Sequence, residues 1–179
     1  MKKKILISTG GSGGHVMPAI TIYDHLKSYH DVVISTDLRG YKYLDNEKYK
    51  TFLIDTPRLN RLILMPFSIL VVFFLTLKSL FVLKKEKISM LISTGGYMSL
   101  PLCLAAKILK IKILLLEPNM IIGRANKFFL NFCEKIICYD SNIINFPKKF
   151  ENKLIVLSPL LRKKYYERNK NLKKDKKFT

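Results

Sequence analysis

Short apolar runs rich in β-branched residues alternate along this chain with longer apolar stretches whose spacing is helical. The short runs predict seven strands, at residues 4–8, 32–35, 50–54, 89–93, 112–116, 135–138 and 154–157. The longer stretches predict helices at about residues 15–28, 66–83, 99–109 and 123–131. Because strands and helices that alternate in this way form βαβ units, the pattern predicts an α/β fold, a Rossmann-like parallel sheet with helices on both faces.

The longest apolar stretch has no charged side chain from residue 62 to residue 77. A helix over residues 66–83 would be about 27 Å long, close to the roughly 30 Å of a bilayer core. Three interpretations are open: a helix lying in the membrane interface, a wholly buried core helix, and a transmembrane span. The first is favoured, because the strands on either side belong to one sheet, and the flanking basic residues could meet anionic headgroups. These basic residues are Arg58, Arg61, Lys84, Lys85 and Lys87.

The chain ends in a basic segment with few apolar residues spaced for a core. We therefore expect a Rossmann-like domain at residues 1–162, followed by a basic helix and linker at residues 163–179. The last residues, KKFT, turn apolar as a new strand would. A second domain is expected to follow the linker.

The chain has 32 Lys and Arg residues and 13 Asp and Glu residues, which give a net charge of +19. This net charge predicts an anionic partner. Nucleic acid, a phosphorylated substrate and an acidic membrane all fit that charge, but no nucleic-acid recognition motif is present, so no nucleic acid is expected. The three cysteines form no CxxC pair. They are predicted to be small core residues in a reducing compartment.

Two glycine loops carry the candidate chemistry: ISTGGSGGHVMPAI at residues 7–20 and MLISTGGYMSLP at residues 90–101. A glycine loop that opens a helix presents backbone N–H groups and the positive end of the helix dipole, which together bind phosphate. The spacing matches neither the dinucleotide fingerprint nor the P-loop, which disfavours a dehydrogenase or an NTPase. Because both loops and the LEPN segment at residues 116–119 follow strands, they should converge on one cleft at the carboxyl edge of the sheet.

Four segments of the chain resemble a known protein family. The segments GGSGGHVMPAI, STGGYMSLP, LLEPNMIIGRANK and LSPLLRKKY occur in the order and spacing of the N-terminal half of MurG-type glycosyltransferases. That family moves N-acetylglucosamine from UDP-GlcNAc to lipid I, an undecaprenyl-diphosphate-linked acceptor, giving lipid II in peptidoglycan synthesis. The resemblance implies the acceptor domain of a GT-B glycosyltransferase, whose C-terminal donor domain would hold most of the UDP-sugar.

The resemblance also implies roles for matching residues. Two are catalytic candidates: His15 and Glu117. Five would contact the donor: Ser12, Gly13, Gly14, Asn119 and Arg162. Five would contact the acceptor: Gly10, Gly11, Gly95, Gly96 and Tyr97.

The implied reaction inverts the anomeric carbon while a base takes the proton of the acceptor's 4-hydroxyl and UDP departs. His15, at the start of a helix that disfavours its charged form, is favoured as the base over Glu117, which could instead anchor its loop. No Asp-x-Asp motif occurs, so neither a metal nor another cofactor is expected.

The implied location is the cytoplasmic face of the bacterial inner membrane, as a peripheral protein on an anionic surface. An alternative is a non-catalytic subunit that recruits a separate catalytic subunit of a split UDP-GlcNAc transferase to the membrane.

Overall fold

The computed structural model describes residues 3–45, 47–56 and 65–161. These residues form one seven-stranded parallel sheet with the strand order β3-β2-β1-β4-β5-β6-β7. Its strands are β1 Lys4–Ser8, β2 Asp31–Thr36, β3 Thr51–Leu53, β4 Met90–Ser93, β5 Lys112–Glu117, β6 Lys135–Cys138 and β7 Leu154–Val156. The helices are α1 Gly13–Leu26, α2 Leu38–Tyr41, α3 Met65–Lys85, α4 Leu100–Ile108 and α5 Arg124–Phe129, with 3-10 turns at Tyr97–Ser99 and Lys148–Lys153.

All seven predicted strands are confirmed, but the helix boundaries differ from the prediction. Helix α1 begins at Gly13 rather than at residue 15, so two glycines of the first loop belong to its first turn. Helix α2 was missed, because an element of four residues is too short to show a helical period. Helix α5 ends at Phe129, two residues earlier than predicted.

Helices cover both faces of the sheet, as the alternation of elements predicted. Leu6 and Leu91 point to one face and pack with Leu102 of α4 in the largest buried cluster. Ile5, a neighbour of Leu6 in β1, points to the opposite face and packs with Ile22 of α1. Because successive strand residues point to opposite faces, each strand contributes to two cores.

Helix α3 has an unusual distribution of side chains. Its inward stripe is partly polar, with Ser68, Thr76 and Ser79 buried. The hydroxyls of Thr76 and Ser79 donate to helix carbonyls four residues earlier, at 2.8 and 2.7 Å. Its outward side carries seven large apolar residues that are 45–66% exposed: Phe67, Ile69, Leu70, Phe73, Phe74, Leu77 and Phe81. The interpretation of α3 as a wholly buried core helix is therefore wrong.

Within the described residues, one segment, Phe67–Lys85, is long and apolar enough to cross a membrane, with a mean hydropathy of 2.1. However, α3 connects β3 and β4, two parallel strands of the same sheet. The helix also packs along α4 on one side. Lys84, Lys85 and Lys87 are exposed at its C-terminal end, whereas Arg58 and Arg61 lie outside the described residues.

The three cysteines are buried and unpaired, as predicted. Burial raises the pKa of the Cys103 thiol to about 12 and that of Cys138 to about 11. Both thiols are therefore neutral at physiological pH, which suits a packing role.

Candidate active site

The two glycine loops leave the sheet side by side. They follow β1 and β4, whose last residues, Ser8 and Ser93, are paired in register. Just beyond, the Thr94 N–H donates to the Ser8 carbonyl at 3.0 Å and the Thr94 hydroxyl donates to the Thr9 hydroxyl at 2.8 Å. The two glycine loops are therefore adjacent at the carboxyl edge of the sheet, as predicted.

The first loop is shaped around a buried carboxylate, Asp37. A Cβ added at Gly10 would lie 2.7 Å from Asp37 Oδ1, closer than real side chains approach. The Gly11 N–H donates to the same oxygen at 2.8 Å, with Gly11 at a φ of +82° that favours glycine. Close approach to Asp37, within the protein, therefore explains these two glycines.

Asp37 was not identified from the sequence, although it directly follows the carboxyl end of β2. Its side chain is fully buried and also accepts hydrogen bonds from the Gly40 N–H at 2.8 Å and from Arg39 Nε at 3.0 Å. Burial alone raises the pKa of the Asp37 carboxyl, but the hydrogen bonds from Gly11, Gly40 and Arg39 outweigh it. The pKa of Asp37 therefore lies below the ordinary value of 3.8.

Arg39 connects the first loop to the second. Its Nη2 donates to the hydroxyl of Tyr97, and its guanidinium carbon lies 5.6 Å from the centre of the Tyr97 ring. Because Arg39 contacts both Asp37 and Tyr97, its positive charge lies between the two loops predicted to bind the acceptor. Arg39 carries no sequence motif of its own and was also missed.

His15 lies between the loops. Its Nδ1 is 2.7 Å from the Thr94 carbonyl oxygen, and a carbonyl can only accept, so Nδ1 carries the proton. In the neutral imidazole, Nε2 is then the atom with a free lone pair. A Cβ at Gly95 would come within 3.3 Å of the ring, so the second loop needs glycine there to let the imidazole in.

The N-terminus of α1 holds the predicted donor-side residues Ser12, Gly13 and Gly14. Ser12 is the N-cap, is exposed, and its hydroxyl caps no backbone N–H. The His15 and Val16 N–H groups donate to the Ser12 carbonyl at 3.1 and 3.2 Å. Those of Gly13 and Gly14 precede the first hydrogen bond of the helix and, with the positive end of its dipole, point out of its N-terminus. Arg162, which was also predicted to contact the donor, lies outside the described residues.

Glu117 is buried, 2% exposed, and both of its oxygens are occupied. Oε1 accepts from the backbone and the side-chain amide of Asn119, at 3.3 and 2.9 Å. Oε2 accepts from the Gly123 N–H at 2.7 Å and from Asn126 Nδ2 at 3.0 Å. Four donors on one buried carboxylate match the loop-anchor interpretation of Glu117. Asn126, which bridges Glu117 and the Leu116 carbonyl, was missed by the sequence reasoning.

The fold and the site together define an α/β domain of the Rossmann type, with the candidate site at the carboxyl ends of β1, β4 and β5. Comparison with known proteins identifies the family. The chain belongs to glycosyltransferase family 28, whose N-terminal domain matches residues 5–138.

Its relatives are named as one enzyme. The chain is 53% identical to the UDP-N-acetylglucosamine--N-acetylmuramyl-(pentapeptide) pyrophosphoryl-undecaprenol N-acetylglucosamine transferase of Pelagibacter ubique, over 96% of the chain and 49% of that protein. It is 34% identical to the transferase of the same name from Rickettsia typhi, over 92% of the chain and 43% of that protein. The chain thus spans about half the length of the curated relatives it matches.

Solved structures agree on the fold. Acinetobacter baumannii MurG superposes with a TM-score of 0.74 at 23% identity, covering 93% of the chain and 48% of that structure. A UDP-GlcNAc 2-epimerase from Neisseria meningitidis superposes with a TM-score of 0.61 at 15% identity, over 86% of the chain and 45% of that structure. The sheet is therefore that of a GT-B N-terminal domain, as predicted.

Proposed function

We propose that this chain is the acceptor-side half of an inverting glycosyltransferase that moves N-acetylglucosamine from UDP-GlcNAc to lipid I, giving lipid II. The names of its relatives and its membership of family 28 support the substrates. The observation that carries the chemistry is the hydrogen bond between His15 Nδ1 and Thr94, which leaves Nε2 as the acceptor atom in the cleft. The remaining length of the relatives would supply the donor domain.

In the proposed reaction, His15 is the general base. Its Nε2 takes the proton from the acceptor's 4-hydroxyl as that oxygen attacks the anomeric carbon from the face opposite to UDP. The carbon–oxygen bond to UDP breaks with its electron pair on the diphosphate, so the configuration inverts. The Thr94 carbonyl holds the imidazole in the required tautomer and stabilises the imidazolium that forms.

Glu117 has a positioning role in this proposal rather than that of the base. Its carboxylate holds Asn119 at the end of β5, where the side chain of Asn119 would contact the donor sugar. Ser12, Gly13 and Gly14 would meet the donor at the start of α1, and Arg162 would do so from beyond β7. Gly10, Gly11, Gly95, Gly96 and Tyr97 would line the acceptor side.

We further propose that α3 attaches the protein to the cytoplasmic face of the inner membrane without crossing it. Its outward side is apolar and ends in exposed lysines, which suits a surface of anionic lipids. An acceptor with a polyprenyl chain lies in that membrane. The alternative of a non-catalytic recruiting subunit is not favoured, because the 53% identical relative is itself named as the transferase.

The test is a transfer assay with the chain and the second half of the Pelagibacter relative, supplied in trans or as one fused chain. With UDP-GlcNAc and a lipid I analogue, we expect the disaccharide product and UDP in equal amounts. If the fused, folded protein releases no UDP in an acceptor-dependent way, the proposed function is wrong.

A further inference from the structure

Several backbone donors of the two glycine loops are already used inside the protein. The Gly11 N–H donates to Asp37, the Ser12 N–H to the Gly10 carbonyl at 3.1 Å, and the Gly95 N–H to the Ser93 hydroxyl at 3.2 Å. A diphosphate placed against these loops would therefore find these three N–H groups occupied. A cation beside the loops would add stabilisation that they cannot give.

Arg39 occupies that position. A Cβ added at Gly11 would lie 3.7 Å from Arg39 Nη2, so the guanidinium sits directly over the first loop. Arg39 Nε has an acceptor in Asp37, and Nη2 has acceptors in Tyr97 and Met98. Among the residues that the structure describes, Nη1 donates to no acceptor, which leaves its two N–H groups for a ligand.

We propose that Arg39 binds the diphosphate of the acceptor and that Asp37 is its positioning residue. The identity of the diphosphate as the acceptor's rests on the proposed function above. Arginine suits this role because its guanidinium stays charged, and the two N–H groups of Nη1 can each donate to a phosphate oxygen while Nε and Nη2 keep their acceptors in the protein. Contacts to Asp37 and Tyr97 hold the side chain in place beforehand, so little rotamer entropy is lost when the ligand binds.

The negative charge of Asp37 does not cancel this site. The carboxylate is fully buried, and its Oδ1 is occupied by the N–H groups of Gly11 and Gly40. Arg39, by contrast, is 39% exposed and lies between Asp37 and the cleft. The dipole of α1, which begins two residues beyond Gly11, adds positive potential at the same place.

The experiment is an NMR titration of the 15N-labelled 179-residue chain with inorganic pyrophosphate. We expect the Gly11 and Gly96 amides and the Arg39 Nε–H to shift together in the wild-type protein. If none of these three signals shifts at saturation, the proposal is overturned without the need for any variant. Sugar transfer is not measured, so this outcome is independent of the proposed function.

The variants measure the size of the effect. Arg39→Met should weaken pyrophosphate binding about tenfold to a hundredfold, the size of one or two charge-assisted hydrogen bonds. Arg39→Lys keeps the charge but loses the contacts that hold the guanidinium to Asp37 and Tyr97, so its affinity should fall in between. Lys42→Met removes an exposed charge three residues away and should change affinity less than about threefold, because that charge is screened. Equal losses of affinity in the Arg39→Met and Lys42→Met variants, or an unchanged affinity in Arg39→Lys, would contradict a specific contact from the Arg39 guanidinium.

Two further arms separate the possible sources of the diphosphate. Farnesyl diphosphate, a short polyprenyl diphosphate, should depend on Arg39 as pyrophosphate does, whereas UDP should not. Dependence of UDP alone would assign Arg39 to the donor and overturn the acceptor assignment. Asp37→Asn should broaden the Arg39 Nε–H signal, because that proton exchanges faster once the carboxylate is lost. The same variant should weaken pyrophosphate binding less than Arg39→Met does. An unchanged Arg39 Nε–H signal would remove Asp37 from the positioning role.

Discussion

His15 and Glu117 were both candidates for the base, and their surroundings separate them. His15 has one ring nitrogen occupied by the Thr94 carbonyl and lies against the glycines of the second loop, partly open to the cleft. Glu117 is buried with four donors on its two oxygens. A carboxylate held in this way stabilises its loop but has no free lone pair directed at a substrate.

Replacing His15 with alanine in a complete enzyme should lower turnover by about 10² to 10⁴, the usual size of a general-base contribution. The fold should be unaffected, because His15 is only partly buried. The measurement is kcat beside a thermal melt. His25→Gln, in the last turn of the same helix, is the matched control and should keep kcat within about threefold. A similarly small change for His15→Ala would remove His15 from the mechanism.

Replacing Glu117 with glutamine should instead destabilise the protein. One amide oxygen cannot serve all four donors, and the new NH2 group would face N–H groups, so a cost of about 1–3 kcal/mol is expected. Urea unfolding measures this cost. Glu134→Gln, which breaks an exposed ion pair with Lys112, should cost less than about 1 kcal/mol. Full stability with lost turnover would make Glu117 the catalytic residue.

Asp37 should give the protein a specific pH dependence. Because its folded pKa lies below 3.8, its contribution to stability is complete above that pH and is lost as the pH falls through the folded pKa. Asp37→Asn should therefore lower the free energy of unfolding by about 1–3 kcal/mol at pH 7. The difference in free energy of unfolding between this variant and the wild type should become smaller below a pH of about 3.8. Urea unfolding curves at several pH values measure this difference, and Asp31→Asn, at an exposed position, is the control. A stability difference between Asp37→Asn and wild type that does not change with pH would contradict the prediction.

At the scale of elements, α3 is apolar on both sides, and its buried side is the one that carries hydroxyl groups. Ser68, Thr76 and Ser79 point inward, while an apolar stripe at i, i+3 and i+4 spacing points outward. The hydroxyls of Thr76 and Ser79 donate to the helix itself, so these two add no unpaired polar group to the interior. This distribution suits a helix with protein on one side and lipid on the other.

Replacing Phe74 and Phe81 with serine should release the protein from vesicles. Both are more than half exposed, and two such side chains would contribute at least a tenfold change in partitioning when buried in lipid. Co-sedimentation with anionic vesicles measures the effect, and high salt should weaken binding further by screening the lysines. Tyr29→Ser, an exposed aromatic residue after α1, is the control and should not change binding.

A helix that spans the bilayer would behave differently. It would resist salt and carbonate washes, because withdrawing about 20 apolar residues from lipid costs far more than either interfacial contribution. The two termini would then lie on opposite sides of the membrane, so protease applied from one side would leave only one of them protected. Either result would contradict an interfacial α3.

At the scale of the whole molecule, the chain corresponds to about half of its relatives. We expect the purified 179-residue chain to transfer no sugar, because the residues for uracil and ribose are expected in the second domain. Adding that domain in trans should restore transfer. The assay is product formation from labelled UDP-GlcNAc and a lipid I analogue, and detectable product from the chain alone would refute this division of labour.

Several features of this protein follow from the sequence by itself. The seven strands were predictable because each is a short apolar run bounded by turn residues, and their alternation with helices allows only a parallel sheet. The glycine loops were predictable as well, since they follow strands and open helices. That they meet at one edge follows from the direction of parallel strands.

Only the tertiary structure decided how the side chains are used. His15 meets Thr94 across 79 residues of sequence and Asp37 meets Gly11 across 26, and both contacts exist because β1 lies between β2 and β4. No local pattern marks such partners. Likewise α3 is apolar on nearly every side, so its sequence does not tell which face is buried; packing against α4 and the sheet selects the inward stripe and leaves the phenylalanines outside.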